Sequence, residues 1–204
     1  MPSKKQLLRF RIELEEIEPS IWREIVVPSS YSFWDLHVAV QDAMGWLDYH
    51  LHVFRIRDLK TDGVAEVGIP LTDDFGHQPV LAGWEVPVLS YLSEPGNSAE
   101  YEYDFGDGWS HQVLLQEITD REKGGKYPRC VGGERACPPE DCGGPWGYQT
   151  LLEILNDPAH EQYEQMCEWV GDQFDPEQFD PGRVKFDNPK KRWRIAFEDG
   201  EDGA

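Results

Sequence analysis

Apolar and polar residues alternate from the start of the chain. Leu8, Phe10, Ile12 and Leu14 fall on one side and Arg9, Arg11 and Glu13 on the other, the period of a half-buried strand. Glu18-Pro19-Ser20 supplies a turn, and Ile21 to Val27 reads as the return strand, closed by Pro28, so the first 28 residues predict a β-hairpin. The period then lengthens. Phe33, Leu36, Val40, Ala43, Met44 and Leu47 recur at helical spacing behind Ser32, which forms a capping box with Asp35 in place of the usual Glu; this predicts a helix over 32–47 with Gly45 fraying its end. His37 beside the stripe reads as a packed or surface residue rather than a ligand. Residues 50–56 predict a strand with His50, His52, Phe54 and Ile56 on one face.

The stretch 58–98 is rich in turn residues, with short strands expected near Val86–Leu89. A stronger signal follows at YEYDFGDGWSHQVLLQEI, residues 101–118, where two alternating runs flank Gly106-Asp107-Gly108. A three-residue loop there pairs Phe105 with Trp109, Tyr103 with His111 and Tyr101 with Val113, and asks for positive φ at Gly108. The tripeptide DFG has no glycine-rich loop or HRD-type loop beside it, which excludes a protein kinase. Residues 127–148, crowded with Pro, Gly and Cys, predict a long loop without regular structure, its end pinned to the body by Trp146. A helix should follow with Tyr148, Leu151, Leu152 and Leu155 inward, then a second one capped by Asp157 with Pro158 first. The second carries an apolar stripe of Ala159, Tyr163, Met166, Cys167 and Val170, which puts Cys167 in the core. The pattern is that of an α+β fold: an antiparallel β-sheet of hairpins packed by helices, with a C-terminal helical segment, as one domain over 1–187 and a charged tail over 188–204.

Charge narrows the functional classes. The chain carries 39 acidic against 19 basic side chains, a net charge of -20, which repels polyanions at long range and weighs against nucleic acid or an anionic membrane as the partner. Lys190, Lys191, Arg192 and Arg194 around Trp193 form a local basic cluster, but Glu198, Asp199, Glu201 and Asp202 follow at once, and the segment reads as a charged strand or solvated tail. No apolar run reaches the roughly 18 residues of a membrane span, and the short basic start leads into no continuous apolar stretch of signal-peptide type. A cytoplasmic protein with reduced thiols is expected.

Four groups of residues carry candidate chemistry. His50 and His52 project from one strand face, a pair suited to a metal or to packing against Phe54. Asp104, Asp107 and His111 surround the hairpin tip, where a carboxylate near an imidazole suits acid–base work, with Trp109 beside them as an aromatic contact. Cys130, Cys137 and Cys142, with Glu140 and Asp141, sit in the Pro/Gly loop. Thiolates gathered there would hold zinc, yet their spacing is not the paired C-x2-C of structural sites. The favoured arrangement is metal-free, with the cysteines reduced and apart and Glu140 and Asp141 facing solvent. Gly143-Gly144-Pro145 opens a helix but lacks the lysine of a phosphate loop.

The segments YEYDFGDGWSHQV and ACPPEDCGGPWGY resemble the plasmid ORF-three-like family first named from an Ri plasmid. YSFWDLHVAVQDAMGW and YHLHVFRI before them and FDPEQFD after them extend the resemblance over residues 6–187. It implies an antiparallel sheet packed by helices and a setting in plasmids and mobile elements, where some members carry a transposon-passenger or resolvase label. It brings no catalytic residues, and the tail from Asn188 matches nothing in it. Recombinase chemistry is rejected on physical grounds, because Ser29, Ser30 and Ser32 sit at a helix entry in a strongly acidic chain without a basic DNA-reading element. The leading expectation is a binding or interaction module for a protein or small molecule. A metal-assisted hydrolase using His50, His52, Asp104 and His111 is the alternative, and a structural accessory protein without ligand the third.

Overall fold

The computed structural model describes residues 6–58, 61–70, 79–171 and 173–198; the basic start of the chain and Asp199, Glu201 and Asp202 lie outside them. The predicted α+β class holds. Strands β1 (Gln6–Leu14) and β2 (Ile21–Pro28) form the first hairpin, and helix α1 (Phe33–Met44) follows. Strands β3 (His52–Asp58), β4 (Gly63–Gly68), β5 (Leu81–Ala82), β6 (Ser98–Tyr103), β7 (Trp109–Asp120) and β8 (Arg129–Glu134) complete one sheet in the order β5-β4-β3-β6-β7-β1-β2-β8. Every pairing is antiparallel except β4 with β5. Helices α2 (Gly144–Leu155), α3 (Tyr163–Val170) and α4 (Pro189–Phe197) lie at the C-terminal end of the chain.

One face of the sheet makes the core. Leu8, Phe10, Ile12, Ile25, Val27, Phe54, Tyr101 and Val113 are buried there with Phe33, Leu36 and Val40 of α1, as the alternation in the strands and the stripe in the helix require. The other face carries charges that answer one another across strands: Arg55 meets Glu66, Glu100 and Glu102, and Arg9 meets Glu24 and Glu117. Helix α1 starts with the capping box read from the sequence, the Asp35 N–H donating to Ser32 Oγ and the Ser32 N–H to Asp35 Oδ2. It ends at Gly45, whose φ of 96° belongs to the left-handed region. Leu36 and Val40 are fully enclosed. Leu36→Ala is therefore expected to cost about 2–4 kcal/mol by leaving a cavity, with a smaller loss for Val40→Ala, read by chemical denaturation.

The structure departs from the sequence pattern at several places. The hairpin of β6 and β7 turns through residues 104–108 rather than three, so Tyr103 faces Trp109, Tyr101 faces His111 and Ala99 faces Val113. Asp104 explains the wider turn. It takes φ 55°, its Oδ1 accepts the Gly106 and Asp107 N–H groups, and its carbonyl accepts that of Gly108. The slip is by two residues, which preserves the faces: Tyr101, Tyr103, Trp109 and His111 all point inward. Gly108 has φ 69°, as the turn chemistry asks.

Part of the supposed loop 127–148 is strand β8, which pairs with β2 around a bulge at Glu24/Ile25. Its glycines are the reason: a Cβ on Gly133 would lie 2.3 Å from the Phe179 ring. Phe179, from the FDPEQFD segment, stacks on the buried Arg23 guanidinium at 3.7 Å. That guanidinium donates to the carbonyls of Ala43, Trp22 and Glu134, which satisfies a charge the strand buries. Trp146 is 80% exposed and pins nothing. Val88–Ser90 is a short 3-10 turn, not a strand, and the turn-rich stretch holds β4 instead. Helix α2 buries Tyr148, Leu151 and Ile154, with Leu152 and Leu155 only partly covered. Helix α3 begins at Tyr163 rather than Pro158, because Asp157 Oδ1 takes the Ala159 N–H in a local turn. Cys167 is half-buried on it, and α3 has no fully buried residue.

The basic cluster near the C-terminus is helix α4, docked against α1. Arg192 reaches Asp42 at 2.8 Å, Asp187 at 2.6 Å and Asp48 at 3.4 Å. Trp34 donates its indole N–H to the Pro189 carbonyl, and Phe197 packs between the Trp34, Trp84 and Trp193 rings. Arg192 is thus held by specific partners, whereas Lys190, Lys191 and Arg194 stay exposed.

Candidate functional site

Three segments meet at the end of the sheet where β3 begins and the β6–β7 hairpin turns. The first leaves α1 at Gly45 and carries Trp46, Leu47, Tyr49 and His50. It is held to the Pro/Gly loop: Trp46 Nε1 donates to the Pro138 carbonyl at 2.9 Å and the Leu47 N–H to Glu140 Oε2 at 2.9 Å. The second is the hairpin tip, tied in by the Asp104 N–H on the Leu51 carbonyl. The third is the loop 135–143. Its Glu140 accepts the Tyr103 hydroxyl at 2.6 Å, and that hydroxyl in turn accepts the Tyr49 N–H. Burial and the neighbouring Glu140 hold the Tyr103 phenol well above its usual range, so it stays a donor.

This framework brings His50, Asp104 and Asp141 together. His50 Nε2 lies 3.6 Å from Asp104 Oδ2 and 3.1 Å from Asp141 Oδ1, and one ligand atom from each residue falls within 4.8 Å of the others. Asp104 is aimed by its backbone: Oδ1 is engaged by the turn N–H groups, which leaves Oδ2 for the imidazole. Asp104 and Asp141 both adopt positive φ, 55° and 57°, a costly conformation for non-glycine residues that Asp tolerates better than most. The hairpin tip is also clamped to α2. Asp107 Oδ2 accepts the Gly143 N–H, and Gly144 sits so close that a Cβ there would lie 2.2 Å from the Asp107 carbonyl oxygen.

The other candidate residues lie elsewhere. His52 and His111 are enclosed in the core, as is Trp109. His52 stacks on His37 with ring centroids 3.4 Å apart. His37 bridges the Tyr101 hydroxyl and Asp48 at 2.8 Å each, and Gln41 donates to the same hydroxyl. Asp104 therefore stands beside His50 and not opposite His111. Glu140 turns inward instead of facing solvent, whereas Asp141 is 70% exposed along its side chain and leans on His50. The cysteines belong to no cluster of potential metal ligands among the described residues. Burial pushes the Cys142 thiol up to about 12 and the Cys137 thiol higher still, so both are protonated in the metal-free protein.

The sequence pattern marks His50, Asp104, Glu140 and Asp141 without assembling them, and it does not mark Tyr103 and Trp46 as the groups that lock the loop in place. Both sit at alternating or helical positions that read equally well as plain core.

The comparisons agree with this architecture. The family model described as "Plasmid pRiA4b ORF-3-like protein" matches residues 6–183. The "Uncharacterized protein y4hQ" of Sinorhizobium fredii (strain NBRC 101917 / NGR234) is 41% identical over 167 residues, 81% of each chain. The crystal structure of a protein of unknown function, MM3350 from Methanosarcina mazei Go1, superimposes with a TM-score of 0.81 at 41% identity, covering 90% of this chain and all of that one. Family match, identity over most of the length and shared fold lead to one conclusion: the chain belongs to the plasmid pRiA4b ORF-3-like family.

Proposed function

We propose that the chain is a binding module whose ligand centre is the His50–Asp104–Asp141 cluster, and that this centre takes a divalent metal ion. The convergence of three ligand atoms from three separate segments within 4.8 Å carries the reading. Four ligands around a metal at about 2.0–2.1 Å are roughly 3.4 Å from one another, and the 3.1 and 3.6 Å separations here bracket that value. One imidazole and two carboxylates suit a divalent first-row cation such as Zn2+ or Mn2+. Three protein ligands leave a position for an oxygen donor from a small molecule or protein partner. The net charge of -20 argues against a nucleic-acid partner, and the cytoplasm is the compartment proposed with it. Among the described residues no helix is long and apolar enough to cross a membrane.

A metal-assisted hydrolase would use the same centre. Binding is favoured over it because His52 and His111, the further imidazoles that such chemistry would draw on, are enclosed in the core.

Calorimetric titration of chelator-treated protein with Zn2+ or Mn2+ tests the proposal. One site per chain is expected, weakened by more than about tenfold in His50→Ala and in Asp104→Asn and unchanged in Cys137→Ser/Cys142→Ser. Absence of stoichiometric binding, or its loss in the cysteine variant alone, would overturn it.

A further inference from the structure

A cavity of about 540 Å³ opens between the first turn of α1, residues 84–87 and α4. None of the residues lining it belongs to the His50 cluster. Its size is within the roughly 300–1,000 Å³ of small-molecule sites. Three indoles, Trp34, Trp84 and Trp193, contribute to its wall, and the Trp84 and Trp193 rings meet at 70° with centroids 5.9 Å apart. Such walls offer large flat apolar surface to an aromatic body.

The polar groups around the cavity sort into those already engaged and those that are not. Trp34 Nε1 is committed to the Pro189 carbonyl, and the Asp35 carboxylate to the Ser32 N–H. Arg194 and Glu198 answer each other at 3.8 Å. The others include three groups. Trp193 Nε1 is buried without an acceptor among the described residues. Lys190 and Glu85 line the cavity without an ion-pair partner among them. The lysine asks for an anion, and the glutamate asks for a cation.

We infer that this cavity binds a zwitterionic aromatic molecule, an aromatic amino acid being the simplest case. The ring lies against the indoles, the carboxylate takes the Lys190 ammonium, and the ammonium group takes Glu85. The inference is independent of the metal centre.

Calorimetry with L-phenylalanine, phenethylamine and 3-phenylpropionate separates the contributions. The amino acid is expected to bind saturably at one site, and each singly charged analogue about tenfold more weakly. Lys190→Met weakens the amino acid and the propionate and leaves the amine unchanged; Glu85→Gln weakens the amino acid and the amine and leaves the propionate unchanged. Both side chains are exposed, so the variants fold, and circular dichroism checks this. No saturable binding of phenylalanine at millimolar concentration would overturn the inference. So would equal binding of the three compounds, or variant effects that do not divide in this way.

Discussion

Lowering the pH from 7 toward 4 will remove about 3 kcal/mol of stability through His111 alone. Burial depresses this imidazole from 6.5 to about 4, and every tenfold loss of proton affinity on folding corresponds to about 1.4 kcal/mol. Its Nδ1 lies 3.2 Å from the Tyr101 carbonyl. A carbonyl only accepts, so Nδ1 carries the ring proton and Nε2 is bare. Nε2 has no partner among the described residues, and the Trp46 ring stands edge-on to the imidazole at 5.3 Å. A second proton would put a charged N–H where nothing receives it. The unfolded chain therefore binds a proton between pH 6.5 and about 4 that the folded chain refuses. Stability is complete above that window, falls as pH drops through it, and levels off below. His52, depressed by burial and then by the stacked His37, adds loss in the same direction. Urea denaturation of the wild type and of His111→Gln at pH 7 and pH 4.5 measures the effect. The variant should show a distinctly shallower pH dependence, and parallel curves would refute the assignment.

Gly144→Ala should cost about 2–5 kcal/mol and weaken metal binding as well. The position has φ 69°, and a Cβ would fall 2.2 Å from the Asp107 carbonyl oxygen, which is backbone and has no easy way to yield. Left-handed strain of about 1–2 kcal/mol adds to an overpacking cost of about 1–3 kcal/mol. Relief of the clash moves the hairpin tip away from α2 and so parts Asp104 from Asp141. Gly45→Ala is the control: it also has positive φ, but nothing lies within 4 Å of its would-be Cβ. It should lose only the strain and keep the metal affinity. Equal losses in the two variants would show that the clamp does not matter.

The sheet, α1 and its capping box were legible because alternation and helical spacing report burial directly. Phe10, Ile12, Leu36 and Val40 could hardly be anywhere but inside. The hairpin register was not legible, since Gly106-Asp107-Gly108 offered good turn chemistry and nothing announced that Asp104 would close the turn instead. Strand β8 was hidden for a related reason: its Gly132 and Gly133 look like loop residues until the Trp22 and Phe179 rings that press on them are in place. Helix α4 was obscure because a basic run looks solvated when Asp42, Asp48 and Asp187 are distant in sequence. The proposed metal centre shows the same limit. His50, Asp104 and Asp141 each stood out, but only tertiary contacts made by Trp46, Tyr103 and Glu140 bring the loop against the hairpin tip.

The central claim is that His50, Asp104 and Asp141 form one metal-binding centre. Anomalous diffraction from a crystal grown with Mn2+ tests it most directly. The expected result is a single strong peak in contact with His50 Nε2, Asp104 Oδ2 and Asp141 Oδ1, at about 2.0–2.2 Å from each. A crystal with no peak there, or with manganese held by other residues while these three keep to one another, would contradict it.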